Sequence, residues 1–247
     1  MTRFKAATIH LSISALLGLI AAAVIFGVWY PRPYSHAAGA DRLVLLLLGV
    51  DVVLGPLLTL IVFRSGKPGM RFDLVVIALA QACAFLYGTS VVVRARPAFV
   101  VGNVDRFSLV AANDIDGDAY AKATNAEFRS APWTGPRIVG ALPPTDAQER
   151  NRLMLRGPGG PDIDVLPQYY VDYAQVVAAL LQKAKPLAEL TRRHPEAASV
   201  VTSWLAARQR EETDVVWLPL EARRASLTML LDRRSGAPLD ALPVDPW

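Results

Sequence analysis

Residues 43–63 read LVLLLLGVDVVLGPLLTLIVF and contain one formal charge, that of Asp51. As a helix rising about 1.5 Å per residue, this stretch spans roughly 30 Å, the thickness of the hydrocarbon core of a bilayer. A helix of this length on the surface of a soluble protein would carry a polar stripe, and this stretch has none. The stretch therefore predicts a membrane-spanning helix with a carboxyl group near its centre.

Two further apolar stretches lie nearby, at residues 9–28 and 74–93, and neither contains a full charge. The first follows a short basic head and precedes Ala-Gly-Ala at residues 38–40, a pattern that also fits a cleaved signal peptide. Its length and the Pro-Arg-Pro sequence at residues 31–33 favour an uncleaved helix. Residues 1–93 are therefore predicted to form three transmembrane helices, at about residues 9–28, 43–63 and 74–93.

Residues at the ends of these helices are predicted to act as interfacial anchors or N-terminal caps. Trp29 and Tyr30 close the first helix and are predicted to anchor it at the membrane interface, because each ring joins apolar area to a polar atom. Asp41 is predicted to cap the second helix at its N-terminus, and Asp73 is placed to open the third.

Basic residues set the predicted orientation. The turn at residues 64–71 is short and purely basic, and cytoplasmic loops carry an excess of Lys and Arg, so we place this turn and the N-terminus in the cytoplasm. Residues 94–247 are then periplasmic. The numbers of basic residues on the two sides of the membrane differ by only one. The five inside would be Arg3, Lys5, Arg64, Lys67 and Arg71, and the four outside would be Arg32, Arg42, Arg94 and Arg96.

Residues 94–247 contain no apolar run near 18 residues and are predicted to form a soluble, mixed α+β domain. Alternating and apolar runs predict strands at residues 98–101, 107–111, 138–142, 215–220 and 226–232, followed by an extended tail. Helical spacing and capping residues predict helices at residues 118–128, 146–156, 169–183 and 195–207.

Two loops in this domain resemble ligand-binding motifs but lack their essential features. Residues 113–118 (NDIDGD) suggest a calcium loop, yet the glycine is misplaced for an EF-hand, and we predict instead that Asp118 caps a helix. The stretch GPGGP at residues 157–161 follows no strand and has no Lys-Ser/Thr pair, so it is predicted to be a plain loop rather than a phosphate-binding one.

The charge distribution argues against nucleic acid as a partner. Residues 1–93 carry seven Lys and Arg against three Asp, whereas residues 94–247 carry 19 basic and 19 acidic residues. The excess of positive charge therefore flanks the membrane helices, where lipid headgroups explain it, and the soluble domain offers no cationic surface.

Catalytic chemistry and cofactor binding are not expected either. The three histidines are His10, His36 and His194, and none lies in a pattern typical of a catalytic triad or a zinc site. The single cysteine, Cys83, lies inside the third apolar stretch, so the soluble domain has no thiolate ligand. We predict no metal, no cofactor and no enzymatic activity.

Asp51 is the strongest candidate for a functional residue, because a carboxyl group in the bilayer needs a partner, a proton or water. Small residues beside it would let a second helix approach closely. Two hypotheses remain open: Asp51 meets a polar or cationic group of a docked transmembrane helix, or it forms an internal hydrogen bond to Gln81, Tyr87 or Thr59. The candidate partner-binding residues are Asp51, Gly49, Gly55, Pro56, Gln81 and Tyr87.

Several short segments, in their order and spacing, resemble the TfpX/TfpZ family of type IV pilin accessory proteins. These are WYPRPY at residues 29–34, GVDVVLGP at 49–56, the basic turn before Asp73, Gln81 followed by LYG at 86–88, RP at 96–97, DRF at 105–107, WLPL at 217–220 and the terminal DPW at 245–247. The resemblance covers nearly the whole chain, and residues 118–212 contribute least to it.

The resemblance implies a protein of the bacterial inner membrane that assists the stability, assembly or display of a cognate major pilin, without enzymatic activity. We expect the helical region to hold the transmembrane helix of the pilin and the outer domain to contact the pilin head. A membrane-anchored sensor would instead need a concave pocket in residues 94–247. A transporter using Asp51 would be unusual with three helices and one acid.

Overall fold

The computed structural model describes residues 2–155 and 162–247. It contains three long apolar helices followed by a domain of mixed sheet and helix, which confirms the predicted fold class. The glycine- and proline-rich stretch at residues 157–161, predicted to be a loop, lies outside the described residues.

The three spans are slightly longer than predicted. The first runs from Arg3 to Trp29, the second from Ala40 to Val62 and the third from Met70 to Arg94. A π-helical turn interrupts or ends two of them. The helices are α1 (Arg3–Val24) with the turn Ile25–Trp29, α2 (Tyr34–Ala37), α3 (Ala40–Gly49) with the turn Val50–Leu54, α4 (Gly55–Val62) and α5 (Met70–Arg94).

Two residues at the helix ends differ from their predicted roles. Asp41 does not cap the second span, because Gly39 takes the N-cap position with φ at 80° and Asp41 lies in the first turn. Its carboxylate instead accepts a hydrogen bond from Arg224 at 3.1 Å. Tyr30 is fully buried rather than an exposed anchor, and its hydroxyl donates to the carbonyl of Val92 at 2.9 Å, which ties the first span to the third.

The described part of the soluble domain is built on one sheet of eight strands. The strands are β1 (Pro97–Asn103), β2 (Arg106–Ala111), β3 (Arg137–Ala141), β4 (Tyr170–Val171), β5 (Lys185–Pro186), β6 (Val215–Glu221), β7 (Leu227–Asp232) and β8 (Pro238–Leu242). Their order in the sheet is β4-β3-β1-β2-β6-β7-β8, with β5 paired to the start of β6. Hairpins pair β1 with β2, β6 with β7 and β7 with β8, whereas β1–β3 and β2–β6 are parallel.

Both faces of the sheet are covered, because successive strand residues point to opposite sides. Phe107 and Leu218 pack with Leu180 on one face, while Phe99 and Trp217 lie in two clusters on the other. The covering helices are α6 (Gly117–Ala121), α7 (Ala147–Leu155), α8 (Val177–Lys183), α9 (Leu187–Arg193) and α10 (Ala198–Arg208), joined in part by short 3₁₀ turns.

Two predicted helices were wrong in extent. The helix predicted at 118–128 is divided into α6, whose N-cap is Asp116 rather than Asp118, and a 3₁₀ turn capped by Asn125. The helix predicted at 169–183 is α-helical only from Val177, since Tyr170 is drawn into strand β4 and its ring packs 5.2 Å from that of Phe99. Burial of these rings outweighs local helix propensity.

The loop between the first two spans is part of the core of the soluble domain. Ala37 in this loop is fully buried among sheet residues, and its carbonyl accepts a hydrogen bond from the main-chain N–H of Arg224 at 3.1 Å. Residues Thr2, Arg3, Phe63 and Arg64 line a cavity together at the other end of the bundle. The N-terminus and the soluble domain therefore lie at opposite ends of the helical region.

Candidate functional site

Asp51 lies in the π-helical turn Val50–Leu54, between α3 and α4. The sequence explains this turn, because Pro56 has no N–H to donate to the carbonyl of Val52 and its ring would clash with that carbonyl in a regular helix. Wider turns of this kind are frequent at functional sites. Here the turn places the Asp51 side chain inside the bundle, where the residue is only 7% exposed.

The carboxyl group of Asp51 is buried inside the bundle. Within the part of the chain that the structure describes, both of its oxygens are buried without a hydrogen bond. Gln81 donates to the main-chain carbonyl of Asp51 at 3.2 Å, not to its carboxylate, and the side-chain oxygen of Gln81 is also unpaired. A carboxylate in this position costs a few kcal/mol, so the site is electrostatically incomplete.

The other candidate partner-binding residues differ in how closely they are packed. The third span packs tightly against Gly55, since a Cβ atom built there would lie 1.9 Å from Nε2 of Gln81. Pro56 is buried beside it. A Cβ atom built on Gly49 would meet nothing within 4 Å, and Tyr87 is exposed on the third span. Gly55 therefore serves packing within this chain, whereas the surroundings of Gly49 and Tyr87 are open.

A groove of about 440 Å³ separates the first and third spans, and Asp51 forms part of its wall. We call it the α1–α5 groove. His10 contributes a polar ring whose Nδ1 lies 2.6 Å from the hydroxyl oxygen of Thr59. The lining residues are His10, Ile13, Ser14, Leu17, Asp51, Ala78, Gln81, Ala82, Phe85 and Leu86.

A second groove, of about 380 Å³, lies between α3 and α5, and Asp51 lines it as well. We call it the α3–α5 groove, and Leu43, Val50, Tyr87 and Val92 are among its lining residues. It extends from Asp51 toward the soluble domain, because the second span starts and the third span ends at that side. The α1–α5 groove extends the other way along the first span, so the two grooves meet at Asp51.

The third span has little cover from the rest of the chain. Among the residues of α5, all of which the structure describes, only Val92 is buried. An apolar helix so exposed must face lipid or another helix. The grooves on its two sides are therefore open to a partner within the membrane.

His10 and Ser14 were not predicted to belong to the site. Both are polar residues of the first apolar stretch. Their spacing of four residues, continued by Leu17 three residues later, places all three on one helix face. That spacing is the signal that would have found them.

The soluble domain offers fewer candidate sites for a metal or a ligand than the helical region. Over residues 2–155 and 162–247, no group of three or more His, Cys, Asp or Glu side chains could hold a metal ion. Burial raises the pKa of the Asp164 carboxyl. A cavity at the junction with the bundle, between Ala38 and Arg223, holds about 10 Å³, which is too small for an organic ligand. It gives the sensor hypothesis no support.

Comparison with known proteins identifies relatives along nearly the whole chain. The fimbrial assembly protein of serogroup I from Dichelobacter nodosus is 32% identical over 92% of this chain and 89% of its own length. The serogroup E1 protein of the same organism is 30% identical with the same coverage. This chain belongs to the fimbrial assembly protein family.

Two further matches cover parts of the chain. The family model for the fimbrial assembly protein FimB matches residues 1–39, which contain the first span and the loop that enters the soluble core. A third Dichelobacter nodosus relative, of serogroups C1 and C2, is 36% identical over 48% of this chain. No solved structure matches this fimbrial assembly family member. The resemblance to pilus accessory proteins is therefore confirmed at the level of a fimbrial assembly family.

Proposed function

We propose that this protein is an accessory protein of type IV pilus assembly in the bacterial inner membrane, of the TfpX/TfpZ kind. It holds the apolar N-terminal helix of its cognate major pilin in the α1–α5 groove until the helix leaves the membrane for the fibre. The soluble domain lies in the periplasm and contacts the pilin head. The role is non-enzymatic and uses no cofactor.

The unpaired carboxylate of Asp51 is the observation that carries this proposal. Because its two oxygens are buried without a partner in residues 2–155 and 162–247, a helix that brings a cation or a hydrogen-bond donor to Asp51 gains more than one that brings only apolar side chains. The groove therefore favours a transmembrane helix with a polar group at a defined depth over bulk lipid.

The shape of the groove also suits a helix. Ser14 on the first span and Ala78 and Ala82 on the third line its walls, and small side chains let helix backbones approach closely in a bilayer. Ala78 and Ala82 are one helical turn apart, so together they form a shallow depression along the helix axis. A fourth helix placed there would complete a bundle around Asp51.

The proposal is tested by deleting the gene in its host and measuring surface pili together with the cellular amount of pilin. We expect pili to be lost and to return with the wild-type gene but not with Asp51→Leu. Asp73→Leu is the matched control, since Asp73 lies in the first turn of the third span and pairs with Lys67. Normal pili in the deletion strain would overturn the proposed function.

A further inference from the structure

Trp133 is a large apolar side chain that the fold leaves 63% exposed. It lies in the segment at residues 129–136, between the 3₁₀ turn Ala126–Phe128 and strand β3. A single exposed tryptophan on a soluble domain is not unusual, but the position of this one relative to the membrane spans points to a specific role.

Arg96 ties this segment to the end of the third span. The buried guanidinium donates to the carbonyls of Ala131 at 3.3 Å and Pro132 at 3.1 Å. It also donates to the carbonyl of Val93, in the last turn of α5, at 2.7 Å. The same guanidinium lies 4.4 Å from the centre of the Trp133 ring. One side chain therefore fixes Trp133 next to the point where the third span leaves the bilayer.

Gly135 ties the segment to the end of the first span as well. A Cβ atom built on Gly135 would lie 3.4 Å from the carbonyl oxygen of Val28 and 3.4 Å from the ring of Pro31. Gly135 also has φ at 91°, a conformation that other residues rarely adopt. The segment is thus held against two span ends, which together define the level of the membrane interface.

We infer that Trp133 enters the headgroup region of the membrane leaflet on the side of the soluble domain and fastens that domain to the bilayer. Tryptophan favours this layer because its ring is apolar and its N–H needs a polar partner. The exposed Arg32 and Arg94 lie beside the same two span ends, where phosphate groups of lipids attract them. Lipid is the occupant because it surrounds the spans at this level.

Trp247 provides a matched control within the same chain. It is 62% exposed and has an arginine, Arg106, 5.8 Å from its ring centre. Arg106 pairs with Asn103 at the far end of the β1–β2 hairpin. Strand β1 starts just after the third span and runs seven residues, so the hairpin end beside Trp247 lies up to roughly 20 Å from the end of that span.

The first test measures quenching of tryptophan fluorescence by brominated lipids, with the full chain in nanodiscs. Trp133→Phe should roughly halve the quenched emission, because Trp29 is the other tryptophan near this level. Trp247→Phe should leave the quenched emission unchanged. Quenching that is equal in the wild-type protein and Trp133→Phe would overturn the inference.

A second test does not require replacement of Trp133. A spin label at Thr134→Cys is compared with one at Val104→Cys, at the tip of the β1–β2 hairpin, both in a Cys83→Ser background. We expect the label at 134 to be relaxed more by oxygen, which concentrates in lipid, and the label at 104 more by a water-soluble nickel complex. Dominant relaxation by nickel at residue 134 would overturn the inference.

Discussion

The proposed function depends mainly on one side chain, that of Asp51. Its carboxylate is buried without a hydrogen-bond partner among the residues that the structure describes, so we expect it to destabilise the bundle until a partner reaches it. A residue that stabilises the bundle would behave in the opposite way. The sequence left two hypotheses open for Asp51, a contact with a docked helix and an internal hydrogen bond. The effect of an Asp51 substitution on protein stability and on pilin binding distinguishes them.

Asp51→Leu is expected to raise the free energy of unfolding of the purified protein in detergent by about 1 to 3 kcal/mol, because it removes an unsatisfied buried carboxylate. The same substitution should abolish pilin binding. Thermal unfolding followed by circular dichroism measures the first effect. Asp51→Asn is the control of similar shape, and a clear fall in melting temperature for Asp51→Leu would assign Asp51 a structural role.

Asp232 gives the soluble domain a pH dependence. The main-chain N–H of Ser235 is the largest influence that holds the pKa of the Asp232 carboxyl below its ordinary value, followed by Arg210 at 2.8 Å. A carboxyl with a lowered pKa in the folded state stabilises the fold above its unfolded pKa of about 3.9. This stabilisation is lost as the pH falls from there through the folded-state pKa.

Asp232→Asn should therefore lower the free energy of unfolding by about 1 to 2 kcal/mol at pH 7, and the difference from the wild-type protein should shrink as the pH falls below about 4. Melting temperatures of the full chain between pH 2 and pH 7 measure this. Asp116→Asn is the control, since the Asp116 side chain makes no capping hydrogen bond. A difference that is constant over this range would contradict the account.

At the scale of elements, strand β3 lies tightly against the segment that leads into helix α8. A Cβ atom built on Gly140 would lie 2.6 Å from both methyl carbons of Val176, and Val176 is buried and stiff at χ1. Glycine is therefore required here for close packing rather than for an unusual backbone conformation.

Gly140→Ala is expected to cost about 1 to 3 kcal/mol of stability through overpacking. Gly117→Ala, at the start of α6, is the matched control because a Cβ atom there meets nothing within 4 Å. Urea unfolding of the full chain compares the two variants. Equal unfolding midpoints would show that β3 and the segment before α8 adjust without cost.

Elements with strong local signals were predictable from the sequence. The three apolar spans and strands β1, β2, β3, β6 and β7 lie close to their predicted positions, because length, charge and alternation determine them locally. Strand β8 lies in the stretch that was predicted only as an extended tail. The two-residue strands β4 and β5 were missed, since pairing with distant partners creates them. The helix predicted from residue 169 failed for the same reason: Tyr170 is recruited by the aromatic core around Phe99.

At the scale of the whole molecule, the bundle and the soluble domain are joined by several contacts rather than by a simple linker. Ala37 lies in the soluble core, Arg224 pairs with Asp41 at the start of the second span, and Arg96 connects the third span to the segment carrying Trp133. Local sequence patterns could not indicate these contacts, because each joins residues far apart in the chain. They hold the grooves and the soluble domain in a fixed relation.

The most direct test of the central claim is photo-cross-linking to pilin in living cells from two neighbouring positions of the third span. Ala82 lines the α1–α5 groove, whereas Cys83 is exposed at the same depth and lines neither of the two grooves. We predict that a photoreactive residue at position 82 captures the pilin helix and that one at position 83 does not. Capture of pilin from position 83 alone, or from neither position, would contradict the account.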